Sequence, residues 1–168
     1  MIDLESGVEI FSPLVISSAG VMNTYGKMLE SGHTVKLKNN LSRVTKTHGY
    51  LCLYIGMKGS PEKLGLSTTN FWIYPSYDHD KNVKDYLKDQ NQSFPVLYLS
   101  FPSTKDPEKL KSFPNRTTME AITLAPFSWF EKWKDKPWKN RGADYESMKE
   151  EICKRMFDQI FQTLPKLK

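Results

Sequence analysis

A chain of 168 residues, 39% hydrophobic and 26% charged, with a mean hydropathy of -0.54, has the composition of a folded globular domain, which excludes a disordered or fibrous polymer. Roughly 70% of the unfolded surface can be buried at this length, so no metal or disulfide staple is required. Lys and Arg exceed Asp and Glu by 24 to 19, but the signs alternate along most of the chain, which argues against a nucleic-acid surface.

No stretch reaches the roughly 18 apolar residues of a membrane-spanning helix, and the opening MIDLESGVEI lacks the basic start and apolar centre of a signal peptide. Val8 and Ile10, then Leu14, Val15 and Ile16, flank Ser12-Pro13 and predict two short strands broken by a turn. The second ends in Ser17-Ser18-Ala19-Gly20, small residues that let a strand or a ligand come close to the backbone. Glu30 to His48 is polar and without apolar period, a connection.

Tyr50 to Ile55 has aromatic and aliphatic residues but no polar face, which predicts a strand covered on both sides. A short helix follows, with Ser60 as N-cap and Pro61 at its first position. The glycines before it make a structural turn, since neither GxGxxG nor GK[ST] is present. Asn70 to Tyr74 is a third strand. Asp78 and Asp80 bracket His79, but no second ligand cluster completes a metal site, and His33 and His48 stand alone; a solvated helix start and no metal are expected.

Phe94 to Phe101 is a fourth strand, Pro102 to Pro107 a stiff loop, and Thr117 to Leu124 a fifth strand stopped by Pro126. Phe127 to Trp133 predicts a helical turn and a half that gathers Trp129, Phe130 and Trp133. Lys132 to Arg141 mixes bases, acids and tryptophans, as a solvated connection does, or a rim that meets anionic lipid headgroups. The clearest helix runs from Asp144, its cap, to about Leu164, with Met148, Ile152, Met156 and Ile160 on one stripe. Cys52 and Cys153 sit among apolar neighbours and read as buried thiols.

These elements predict an α+β domain, a mixed β-sheet with covering helices. No hydrolytic motif appears: GxSxG, HExxH and a Cys–His pair are all missing. Aromatic residues make up 12% of the chain, which suits core packing or walls for a flat apolar ligand.

The segments SPLVISSAGVMNTYGKML, YLCLYIGMKGSPEKLGLSTTNFWIYPSYDHD, PVLYLSFPSTKDP, FPNRTTMEAITLAPFSWFEKW and RGADYESMK, in this order, resemble the retinol saturase branch of the phytoene-desaturase-like flavoproteins. Ser18 departs from the pattern, which has an acidic residue there. The resemblance implies the substrate domain of a two-domain FAD- and NAD(P)-binding flavoprotein. It further implies an oxidoreductase of the endoplasmic reticulum membrane that saturates the 13,14 double bond of all-trans-retinol. The cofactors implied are FAD and NAD or NADP, because side chains do not carry two electrons reversibly.

In that family GxGxxG lies upstream of the part matched, so the resemblance implies a partial chain that by itself binds FAD poorly. Residues 1–20 are then the closing strands of an incomplete FAD-binding domain, and 21–168 a partial substrate-binding domain. On that reading Ser17, Ser18, Ala19 and Gly20 approach the cofactor. Trp72, Tyr74, Tyr98 and Phe101 line the polyene, with alternation predicting each pair on one face of its strand. Tyr74 or Tyr98 is a conceivable proton donor, and no catalytic residue is assigned. Two rival expectations are a stand-alone module that binds a lipophilic ligand without catalysis, and an interaction domain docking through FEKWKDKPWKNR on an anionic membrane or a protein.

Overall fold

The computed structural model describes residues 2–3, 7–29, 40–41, 43–44 and 47–168. They divide into two units, Met1–Thr47 and His48–Lys168. In the first, β1 (Ile2–Asp3) pairs antiparallel with β2 (Glu9–Ile10). The strand expected at Leu14 to Ile16 does not form. Pro13 has no N–H to give a ladder, and Ser12 Oγ donates to the Leu14 carbonyl at 2.8 Å, closing a local turn instead.

Gly20, at φ +86°, opens a helical segment made of α1 (Val21–Asn23) and a π-helical turn at Thr24–Met28. The Thr24 N–H donates to the Gly20 carbonyl at 2.9 Å. The small residues therefore precede a helix start and not the end of a strand. Gly20 and Val21 share one unit, whereas the structural divide lies between Thr47 and His48. Most of the expected connection from Glu30 onward, His33 included, lies outside the described residues.

The second unit carries a four-stranded sheet of β3 (Gly49–Lys58), β4 (Phe71–Ile73), β5 (Leu97–Ser100) and β6 (Arg116–Ala125), in the order β3-β6-β5-β4. The α+β expectation holds, but the sheet is antiparallel and not mixed: every hydrogen-bonded neighbour runs in the opposite direction. The intervening helices are short, α2 (Pro61–Leu64), α3 (His79–Lys88) and α4 (Pro107–Ser112). Each is capped by a side-chain oxygen, α2 and α3 where the sequence predicts a helix start and α4 at the end of the stiff loop, where the sequence predicts none. Ser60 Oγ accepts from Lys63 N–H, Asp78 Oδ1 from Lys81 N–H at 3.0 Å, and Asp106 Oδ1 from Glu108 and Lys109 N–H. Asp78 thus serves as a helix cap.

The long helix α5 (Ala143–Thr163) buries Ile152, Met156 and Ile160, one turn apart, against Leu97, Leu99, Met119 and Ala121. Each large side chain sealed in this way contributes roughly 1.5–3 kcal/mol. Asp144 is not the cap; Gly142, at φ +96°, stands there. The Asp144 carboxylate instead accepts from Trp133 Nε1 at 3.0 Å and pairs with Lys132 at 3.3 Å, tying the helix start to a 3-10 helix at Phe127–Trp133.

Strand β3 corrects another expectation. Leu51, Leu53 and Ile55 pack on the core, but Tyr50 and Tyr54 on the other face are 70% and 75% exposed, so only one face is covered by this chain. Cys52 and Cys153 are half-buried. Among the described residues no helix is long and apolar enough to cross a membrane.

Candidate functional site

Antiparallel register stacks residues into rows across the sheet, and alternation sends neighbouring rows to opposite faces. One row, Leu53–Ala121–Leu99–Phe71, packs into the core with α5, Ala121 and Leu99 fully buried and Leu53 and Phe71 half-buried. The adjacent row, Cys52–Ile122–Tyr98–Trp72, spans all four strands on the open face. Here Trp72 and Tyr98 meet at 4.4 Å between centroids with their ring planes tilted by 48°, and Trp72 remains 61% exposed. Tyr74, past the end of β4, is exposed and meets His79 edge-on at 4.4 Å.

Polar groups fix the Tyr98 hydroxyl. Asn70 Nδ2 donates to Tyr98 Oη at 2.8 Å, Lys105 Nζ donates to Asn70 Oδ1, and the same ammonium donates to Ser100 Oγ at 3.2 Å. The FPSTKDP segment places that lysine. Thr104 Oγ1 donates to the Phe101 carbonyl at 2.8 Å, Ser103 Oγ accepts from Thr118 N–H at 2.8 Å, and Pro102–Lys105 forms a 3-10 helix that returns Lys105 to the sheet. Because Tyr98 Oη already accepts from Asn70, its own proton is available to an outside acceptor.

Trp72 and Tyr98 thus lie together on the open face, while the exposed Tyr74 contacts His79. Phe101 lies elsewhere: it is fully buried on the core side, edge-on to Phe71 at 6.1 Å. Tyr98 and Phe101 are three residues apart, an odd step, so the pleat alone separates them. Sequence reading missed Asn70, Lys105 and Ser100. Lys105 lies within a motif that signalled the resemblance, yet nothing local announces a contact 35 residues back to Asn70.

Ser17, Ser18, Ala19 and Gly20 belong to the first unit. Ser17 Oγ is hydrogen-bonded to Thr24 Oγ1 at 2.7 Å, and the Ala19 carbonyl accepts from Asn23 Nδ2 at 2.9 Å. All four are exposed, and the space a Cβ would fill at Gly20 is open, so they form no cradle for a cofactor. Among the described residues no buried side-chain polar atom lacks a partner. These residues therefore do not by themselves fit a flavin site.

Comparison with known proteins bears on this arrangement. Over 95% of its length the chain is 34% identical to a Rattus norvegicus protein named all-trans-retinol 13,14-reductase, of which it covers 27%. It is 31% identical over 98% of its length to a Danio rerio protein named inactive all-trans-retinol 13,14-reductase, covering 28% of it. An Arabidopsis thaliana prolycopene isomerase is 24% identical over 96% of the chain, which covers 24% of that protein. The resemblance to all-trans-retinol 13,14-reductases thus extends over nearly the whole chain, while the chain spans about a quarter of the length of these curated relatives. No family model matches, and no solved structure matches.

Proposed function

We propose that these residues are the substrate-side part of a longer oxidoreductase that saturates the 13,14 double bond of all-trans-retinol, and that the open sheet face is the wall on which the polyene lies. The observation that carries this reading is the exposed Trp72–Tyr98 ring pair with its hydroxyl anchored by Asn70 and, behind it, Lys105. A flat conjugated chain gains apolar contact with such neighbouring aromatic rings. The Tyr98 proton, free to point outward, can bond the retinol hydroxyl or be held beside an alkene carbon.

Saturation also requires two electrons, which the family resemblance assigns to FAD reduced by NAD or NADP. Since the described residues build no flavin cradle, this chain contributes binding, orientation and a proton, and the electron carrier is gripped elsewhere. Contact of Ser17 to Gly20 with that carrier, and attachment to the endoplasmic reticulum membrane, belong to the same proposal.

In the polypeptide that carries this sequence, flavin absorbance and formation of 13,14-dihydroretinol are expected. Tyr98→Phe should lower turnover about 100-fold with retinol affinity nearly unchanged if this hydroxyl is the acid. A colourless protein whose tryptophan emission is quenched by retinol without reduction would overturn the oxidoreductase reading. It would leave the stand-alone lipophilic-ligand module.

A further inference from the structure

At the outer edge of β3, away from Trp72, a cavity of about 490 Å³ opens between the strand, the Phe127–Trp133 turn and α5. Its volume lies in the range of small-molecule sites, roughly 300–1,000 Å³. Leu51, Leu53, Ala125 and Cys153 line it together with the rings of Phe127, Phe130 and Tyr145. The same three rings wall a second hollow of about 260 Å³, which carries Lys134 and Arg141.

The charges at that second hollow are unspent. Arg141 Nη1 donates to Tyr145 Oη at 3.1 Å, which leaves the other guanidinium N–H groups, and neither Arg141 nor Lys134 has an ion-pair partner among the described residues. The nearest carboxylates along the start of α5 are already engaged, Asp144 by Lys132 and Glu146 by Lys149. Two hollows that share three rings, one lined mostly by apolar groups together with the Glu146-paired Lys149 and the other carrying two cations, match a molecule with a hydrocarbon tail and an anionic head. They do not match a neutral polyene alcohol, which offers nothing to a guanidinium fork.

We infer that this trough binds a long-chain fatty carboxylate, with the head on Arg141 and Lys134 and the tail passing Phe127 and Phe130 into the cavity beneath the β3 edge. The inference does not rest on the retinol reading, since it uses a different part of the sheet and a different ligand chemistry.

Palmitate below its self-association range, titrated against the 168-residue chain, is the probe. Trp133 emission should change saturably at one equivalent, and bound palmitate should slow alkylation of Cys153. Arg141→Gln should weaken binding about tenfold, and hexadecanol should bind at least about tenfold more weakly than palmitate. Lys134→Ala, at an exposed position where folding is not at stake, should weaken it about threefold. Thermal unfolding of each variant checks the fold. No saturable change, equal affinity for hexadecanol, or unchanged affinity in both variants would overturn the site. A response only to vesicles of anionic phospholipid would overturn it in favour of a membrane-facing surface.

Discussion

The two faces of the four-stranded sheet come from the same strands, and they behave differently. On one, Leu53, Ala121, Leu99 and Phe71 share a core with Ile152, Met156 and Ile160 of α5, in which Ala121, Leu99, Met156 and Ile160 are fully buried. On the other, Trp72, Tyr50 and Tyr54 are comparably large and apolar yet face solvent. A surface of that kind is not what solvent alone selects. The first face holds the fold together; the second carries the proposed polyene wall.

That comparison makes unequal demands on substitutions. The largest effect belongs to the sealed face: Met156→Ala should cost about 2–5 kcal/mol of unfolding free energy, read from the denaturant midpoint. Trp72→Ala should cost no more than about 1.5 kcal/mol, the scale of an aromatic pair, while weakening retinol binding about tenfold. If Trp72→Ala proved as destabilising as Met156→Ala, the open face would be core and the contrast would fail. Tyr98→Phe sharpens it further, since the ring remains against Trp72 and only the hydroxyl anchored by Asn70 is lost. Stability should fall by about 0.5–1.5 kcal/mol or less.

The smallest effect concerns pH. Burial works upward on the Asp144 carboxyl, but the hydrogen bonds from Lys132 and Trp133 outweigh it and hold the group below its ordinary value of 3.8. A carboxyl depressed by folding contributes stability that is full above that ordinary value and is lost as pH falls through the lower, folded one. Acidification should therefore loosen the Phe127–Trp133 turn from α5, seen as a change in Trp133 emission, and Asp144→Asn should flatten that profile. A wild-type signal that changed instead on the alkaline side would contradict this assignment.

Much of the fold was legible in the sequence. Short runs of β-branched and aromatic residues marked all four strands of the main sheet, though the structure trims Phe94–Phe101 to Leu97–Ser100 and lengthens Tyr50–Ile55 to Gly49–Lys58. Ser60-Pro61 announced α2, and the three- and four-residue spacing from Met148 to Ile160 announced α5. The misreadings have physical causes. Leu14 to Ile16 has strand composition, but composition cannot supply a partner for the ladder, and Leu14 and Ile16 stand 74% and 88% exposed. Asp144 has a capping side chain, but Trp133 Nε1 and Lys132 compete for it more effectively than the helix N–H groups. The site was half legible. Trp72 and Tyr98 share a row on the open face and Tyr74 is exposed beyond the end of β4, whereas Phe101 was misplaced by ignoring an odd step in the pleat.

Local chemistry in the chain determined the strands of the main sheet, the starts of α2 and α3, and that aromatic residues alternate along the strands. These follow from backbone geometry and short-range periodicity, which each segment carries within itself. Tertiary structure decided which alternating face α5 would cover. It also decided that Asn70 and Lys105 would converge on Tyr98, and that Cys52 and Cys153, a hundred residues apart, would border one cavity. Strand order and register set these outcomes, and both depend on contacts between residues far apart in sequence, which no local pattern encodes.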